Sequence, residues 1–300
     1  MKINNLIVGV DFSEVDKTLC GHIDFLAQHL PVNHVNNLFV FTAKSTFNAL
    51  QQSSDNKGGD LMLKAFGQEM HQRFDNCYPH VEKVKNHALA GSFVEMFLHQ
   101  YHKTDTDFIA LGKKNGTDGI MGKYITRHIQ ANTFIIPENS GKSISNIVIA
   151  LDLTDFSRKV LHSALDFCSM IDPKPIITCL HIAHLPYYSE LSNAIVDCYK
   201  QFGSSDFKSV DDVFLDQQKK EFRDFISANS KGYDFPLIAD VVEETRAKPY
   251  YAMREYLDKE NPSLLIMGTR SHTALDVFLL GSFVEKIISI NNTVPMLIVK

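Results

Sequence analysis

Short apolar runs bounded by Gly, Asp or Pro alternate along the chain with segments whose apolar positions recur every three or four residues. The short runs read as strands buried on both faces, and the longer segments as helices lying over them, which is the pattern of a parallel sheet covered on both sides. Each half reads as strand, helix, strand, a longer irregular region, helix, strand, glycine loop, helix and strand. Phe93, Phe97 and Tyr101 recur at intervals of four, as do Met253 and Leu257, and Pro249 suits an early helical position. These stripes read as core.

The pattern repeats. NNLIVGVDFSE (Asn4 to Glu14) returns as SNIVIALDLTD (Ser145 to Asp155), which sets Asp11 opposite Asp152 and Ser13 opposite Thr154 at an offset of 152 − 11 = 141. The same offset pairs LFVF, ending at Phe41, with CLHI, ending at Ile182. Further on, TDFIALGKKN around Gly112 matches PSLLIMGTRS around Gly268, and GKYITRHI from Gly122 matches GSFVEKII from Gly281. The offset has then grown to 268 − 112 = 156, so the second half carries about fifteen extra residues, most simply in the aromatic stretch from Pro186 to Asp211. A Pro, Gly and Ser cluster, PENSGKSIS (Pro137 to Ser145), separates the repeats and predicts domains at residues 1–139 and 140–300. Its shortness predicts domains that sit against each other.

Composition narrows the function. The chain has 300 residues, 44% of them apolar and 22% charged, which suits folded domains throughout. A formal charge of -5 without a dense basic cluster argues against nucleic acid as the main partner. The first apolar run is cut by Asp11, too short for a signal-peptide core, and no later run is long enough for a membrane helix, so the expected location is the cytoplasm. Five cysteines, an odd number without CxxC spacing, argue against a disulfide framework or structural zinc site. His181 and His184 have an HxxH spacing, but in a strand that spacing sends the rings to opposite faces. There is no GxSxG elbow and no GxxxxGK[ST] loop, so no catalytic residue is assigned and any hydrolysis should be slow.

In an open parallel sheet, ligands settle beyond the carboxyl ends of the strands where the winding reverses. Asp11, Asp152, Gly112 and Gly268 all follow strands. Either aspartate could accept hydrogen bonds from a ribose or a base edge, or could only support the strand-to-helix turn. The loop GTRSHTALDVFLLGS, Gly268 to Ser282, ends in Gly-Ser just before a helix. It reads as an anion site, with Gly268 and Gly281 allowing close approach and Ser271 and Ser282 donating, or as a serine-capped turn.

These residues carry a resemblance. The chain resembles the universal stress protein family, whose ATP-binding members carry Gly, two residues, Gly, nine residues, then Gly followed by Ser or Thr. Gly268, Ser271, Gly281 and Ser282 fall at those spacings, with Ser271 in place of the second glycine. VGVDFSE resembles the family's first strand and turn, and the likeness covers nearly the whole chain, once per half.

The resemblance implies two flavodoxin-like or Rossmann-like α/β domains, of the adenine nucleotide alpha hydrolase kind, each with a five-stranded parallel sheet. It implies ATP or a related adenine nucleotide, with Mg where the phosphates carry it, held mainly by the second domain. Asp152 would contact the ribose or adenine, Ile182 would flank the base, and Met267 would lie along the nucleotide. Gly122 lies ten positions after Gly112 where Gly281 lies thirteen after Gly268, and Lys123 stands where the second half has Ser282. Asp11, Phe41, Gly112, Gly122 and Lys123 therefore outline a degenerate site. The family's pairing habit implies that TFIIP (Thr133 to Pro137) and MLIVK (Met296 to Lys300) meet as a central seam, one chain imitating a dimer, with a further homodimer open. An unidentified protein partner is expected for a sensor or scaffold. The alternative is a nucleotide-free interaction module that uses the aromatics between Pro186 and Asp211.

Overall fold

In a computed structural model describing residues 3–53, 57–184, 210–244, 248–269 and 280–300, the apolar runs form ten strands of one sheet. The first half contributes β1 (Ile3–Val10), α1 (Val15–His29), β2 (Val32–Phe41), α2 (Lys44–Ser53), α3 (Gly58–Phe74), β3 (Lys83–Ala90), α4 (Phe93–Lys103), β4 (Phe108–Lys113), α5 (Ile120–His128) and β5 (Asn132–Pro137). The second half contributes β6 (Asn146–Ala150), α6 (Asp155–Ser169), β7 (Ile176–His184), α7 (Val210–Asn229), β8 (Leu237–Glu244), α8 (Pro249–Glu260), β9 (Leu264–Gly268), α9 (Ser282–Ile290) and β10 (Met296–Val299).

The strand order is β3-β2-β1-β4-β5-β10-β9-β6-β7-β8. Pairing is parallel inside each half, as a strand-helix-strand chain requires. At the centre β5 and β10 run antiparallel, with Thr133 opposite Ile298, Phe134 opposite Leu297 and Ile135 opposite Met296. TFIIP and MLIVK do meet, so neither five-stranded sheet exposes that apolar edge. The order within each half puts the reversal of winding between β1 and β4, and again between β6 and β9.

Within the irregular regions expected between the second and fourth strands, the described residues form regular elements. The first holds α2, α3 and β3, and the second holds α7 and β8. Both strands lie at the sheet's outer ends, where one side of the ladder is unpaired, and their sequences KVKNHALA and LIADVVEE carry charges that mask the apolar pattern. Apart from the start of α7, the aromatic stretch from Pro186 to Asp211 lies outside the described residues.

Helices cover both faces. One core layer packs α1, α3, α6 and α7 on the sheet, with Leu19, Met70, Leu161 and Phe222 among its buried residues. The other packs α4, α5, α8 and α9, through Phe97, Ile125, Met253 and Ile287. Both layers run across the seam: Phe134 of β5 stands 5.7 Å from Phe108 and 6.3 Å, ring to ring, from Phe167 of α6. Among the described residues, no helix is long and apolar enough to cross a membrane.

Candidate functional site

Each repeat leaves its first strand through the same turn. Phe12 and Leu153 both have φ of 63°, a left-handed conformation costly for a residue with a side chain. Local hydrogen bonds hold them there. In the second half the Asp152 amide donates to Ser157 Oγ at 2.9 Å, Ser157 Oγ donates back to Asp152 Oδ1, and Thr154 Oγ1 donates to the same oxygen at 2.7 Å. Thr154 also caps α6, accepting from the Ser157 amide at 3.3 Å. One aspartate oxygen thus maintains the turn. The other, Oδ2, is buried with no hydrogen-bond partner among the described residues.

In the first half the position of Ser157 is taken by Asp16, whose carboxylate accepts the amides of Asp11 at 3.3 Å and Phe12 at 2.7 Å. Burial, then the nearby Asp11 charge, pushes the Asp16 carboxyl up to about 6. Burial would also raise Asp11, but bonds from Lys114, at 2.7 Å, and from Ser13 outweigh it and hold that carboxyl below its ordinary range.

The glycines at the ends of β4 and β9 are set by packing. A Cβ on Gly112 would come within 2.3 Å of Val15 Cγ1, and one on Gly268 within 2.6 Å of Phe156 and 2.7 Å of Val160. Each glycine lets its strand end lie against the first helix of its half. Because Ala150 pairs with Met267, Asp152 and Gly268 emerge side by side from β6 and β9. The Gly281 amide donates to Thr269 O at 2.8 Å, which brings the start of α9 to the same place. The amides of Ser282, Phe283 and Val284 have no protein acceptor among the described residues. Asp152, Gly268, Gly281 and exposed Ser282 therefore converge, whereas Ser271 lies outside the described residues. Met267 is buried and Ile182 partly buried in one core layer, so they wall the sheet beneath the strand ends.

The first half has a half-open cavity of about 300 Å³ at the matching place. Asp11, Gly112 and Gly122 line it, with Asp16, Lys114 and the turn into α5. Phe41 lies elsewhere, its ring 5.6 Å from that of Phe66. Lys123 also points away, its Nζ donating to Ser289 Oγ at 2.9 Å, so it neither fills the cavity nor offers a free ammonium there. Elsewhere, His181 is fixed between Leu151 O at 2.9 Å and Gln218 Oε1 at 3.3 Å. Cys20 is buried, and burial pushes its thiol up to about 12.

The model of the universal stress protein family matches residues 143–300, more than half of the chain. The chain belongs to the universal stress protein family. The match lies on the second half of this universal stress protein. Over its length the fold is that of a universal stress protein from Archaeoglobus fulgidus, with a TM-score of 0.60 and 16% identity, covering 99% of this chain and 96% of that one. A functionally unknown protein from Pseudomonas aeruginosa gives 0.59 and 13%, covering 99% and 92%. At such identities the likeness speaks for the fold alone. No curated protein matches the sequence.

Two residues central to this geometry escape sequence reasoning. Asp16 sits at the repeat position of Ser157, so the repeat points to the position though not to its charge. Lys113 follows an apolar run and looks like a solvent-facing strand end, yet it is buried.

Proposed function

We propose that this universal stress protein binds ATP or a related adenine nucleotide in its second half and acts as a nucleotide-linked sensor or scaffold in the stress response. The observation that carries the reading is Asp152 Oδ2, buried at the carboxyl end of β6 with no hydrogen-bond partner among the described residues. A buried carboxylate oxygen without a donor is costly, and a ribose hydroxyl or a base amino group would supply one. Beside it the Gly281 amide bonds Thr269 O, which brings the start of α9 to Gly268, and the amides that open α9, which have no acceptor among the described residues, favour phosphate. Mg2+ would enter on the phosphates.

The first-half cavity favours one nucleotide per chain rather than two. Lys114 is paired with Asp11, Lys123 is turned toward α9, and Asp16 and Asp118 add negative charge to the lining. Lys113, which also lines the cavity, spends its ammonium on Ser289, Asn291 and Asn292, so among the described residues an anion there meets no free ammonium. The test is to purify the full chain without added ligand, denature it and analyse the released small molecules by chromatography and mass spectrometry, beside Gly281→Glu. The expected result is near-stoichiometric adenine nucleotide that the variant has lost. No nucleotide in either protein, and no thermal shift with added ATP, would leave the interaction-module reading in its place.

A further inference from the structure

Lys113 ends β4, a strand of the first half, but its ammonium serves the second. The residue is 2% exposed. Nζ donates to Ser289 O at 3.0 Å, Asn291 O at 2.7 Å and Asn292 Oδ1 at 2.6 Å, which uses all three ammonium donors. Two of these acceptors are carbonyls where α9 ends, a place where a helix runs out of intrahelical donors and where its dipole favours a cation. The lysine stem and Ile288 approach Gly119 together, so the stem is wedged between the start of α5 and the last turn of α9. Lys123 and Arg127 add contacts to Ser289 Oγ and Glu285. The first half grips α9 by its C-terminal end and one side.

Helix α9 is also the helix whose opening carries Gly281 and Ser282. It is nine residues long, so a shift at one end is a shift at the other. We propose that Lys113 is a positioning residue for the second-half nucleotide site: a first-half lysine that seats α9 and so fixes the amides that receive the phosphates. This rests on the nucleotide reading above. The loss of its proton would leave two donors for three acceptors and loosen that seat.

Burial brings Lys113 down to about 8, with Asp118 pulling upward and Lys123 downward. On the α9 side it meets only the neutral acceptors of Ser289, Asn291 and Asn292, because Glu285, one turn back, is held by Arg127. The protonated form is the one that caps α9, so phosphate affinity falls as pH rises through about 8.

The experiment titrates the full chain with ATP in steps from about pH 7 to 9.5, as wild type, K113R and K113M, and records amide hydrogen exchange of α9 in the same samples without nucleotide. Wild type loses affinity on the order of tenfold across the interval. K113R stays tight without a step, because a guanidinium remains charged. K113M binds weakly throughout, with α9 amides exchanging faster. Should K113M fail to fold, the wild-type series against K113R still decides. ATP binding whose strength and pH profile ignore Lys113 overturns this proposal alone. Absence of ATP binding in every sample overturns the nucleotide reading and this one together.

Discussion

Asp16 and Ser157 occupy the same position of the repeat, and each accepts the backbone amide of the aspartate that ends its strand, Asp11 at 3.3 Å and Asp152 at 2.9 Å. The turn therefore needs an acceptor there, and a neutral one suffices. Asp16 supplies a charged one in a buried place beside a second carboxylate.

That difference predicts a pH dependence. The Asp16 carboxyl is raised from 3.8 to about 6 on folding, so the folded state favours its protonated form. Its contribution to stability is complete below about 3.8 and is lost as pH rises through about 6. Asp16→Asn keeps an amide oxygen as acceptor and removes the charge. Urea midpoints of wild type and variant should agree near pH 4 and separate by pH 7.5, with the variant more stable by about 2 kcal/mol. Parallel curves would show that Asp16 is ionised at little cost in the fold.

On the nucleotide reading, Asp152 divides its oxygens between structure and ligand. Oδ1 holds Thr154 and Ser157, while Oδ2 has no partner among the described residues. Asp152→Ala should weaken ATP binding on the order of tenfold or more, the size of a hydrogen bond to a charged group. Thr154→Ala removes the α6 cap and should cost about 1 kcal/mol of stability while changing affinity much less. Calorimetric titration of both variants separates the two roles, and an equal loss in each would place the ligand elsewhere.

Most of the architecture was legible because its strands are buried. Leu6, Ile7 and Val8, like Ile147, Val148 and Ile149, are apolar at consecutive positions, which both marks a strand and makes the repeat visible. The outer strands escaped because Lys83, Lys85, Asp240 and Glu243 interrupt the same signal where one side of the ladder is unpaired. At the site, the glycines and aspartates stand out by spacing, since close packing and turn geometry fix them locally. Lys113 did not, because its meaning lies in Ser289 and Asn291, at the opposite end of the sequence.

Glycines at strand ends and in helices should respond with opposite signs. Gly112→Ala and Gly268→Ala drive a methyl into Val15 or into Phe156 and Val160, and each should cost about 1 to 3 kcal/mol. Gly67, inside α3, has open space where its Cβ would be, and Gly67→Ala should stabilise by about 0.5 to 1 kcal/mol through helix propensity. Denaturant midpoints give all three. A stabilising Gly268→Ala would mean that β9 does not lie as close to α6 as the packing places it.

The two halves should unfold as one unit. β5 and β10 are hydrogen-bonded, Phe134 packs on Phe167 of α6, and both core layers cross the seam. Neither half can lose its fold without exposing apolar surface on the other, so the free energies are coupled rather than additive. Phe134→Ala removes a fully buried ring at that boundary and should cost about 3 to 5 kcal/mol. In wild type, far-UV dichroism and a fluorophore placed on either half should report one coincident urea transition. If the halves were independent, Phe134→Ala would shift the transition of the first half alone and leave the second where it was.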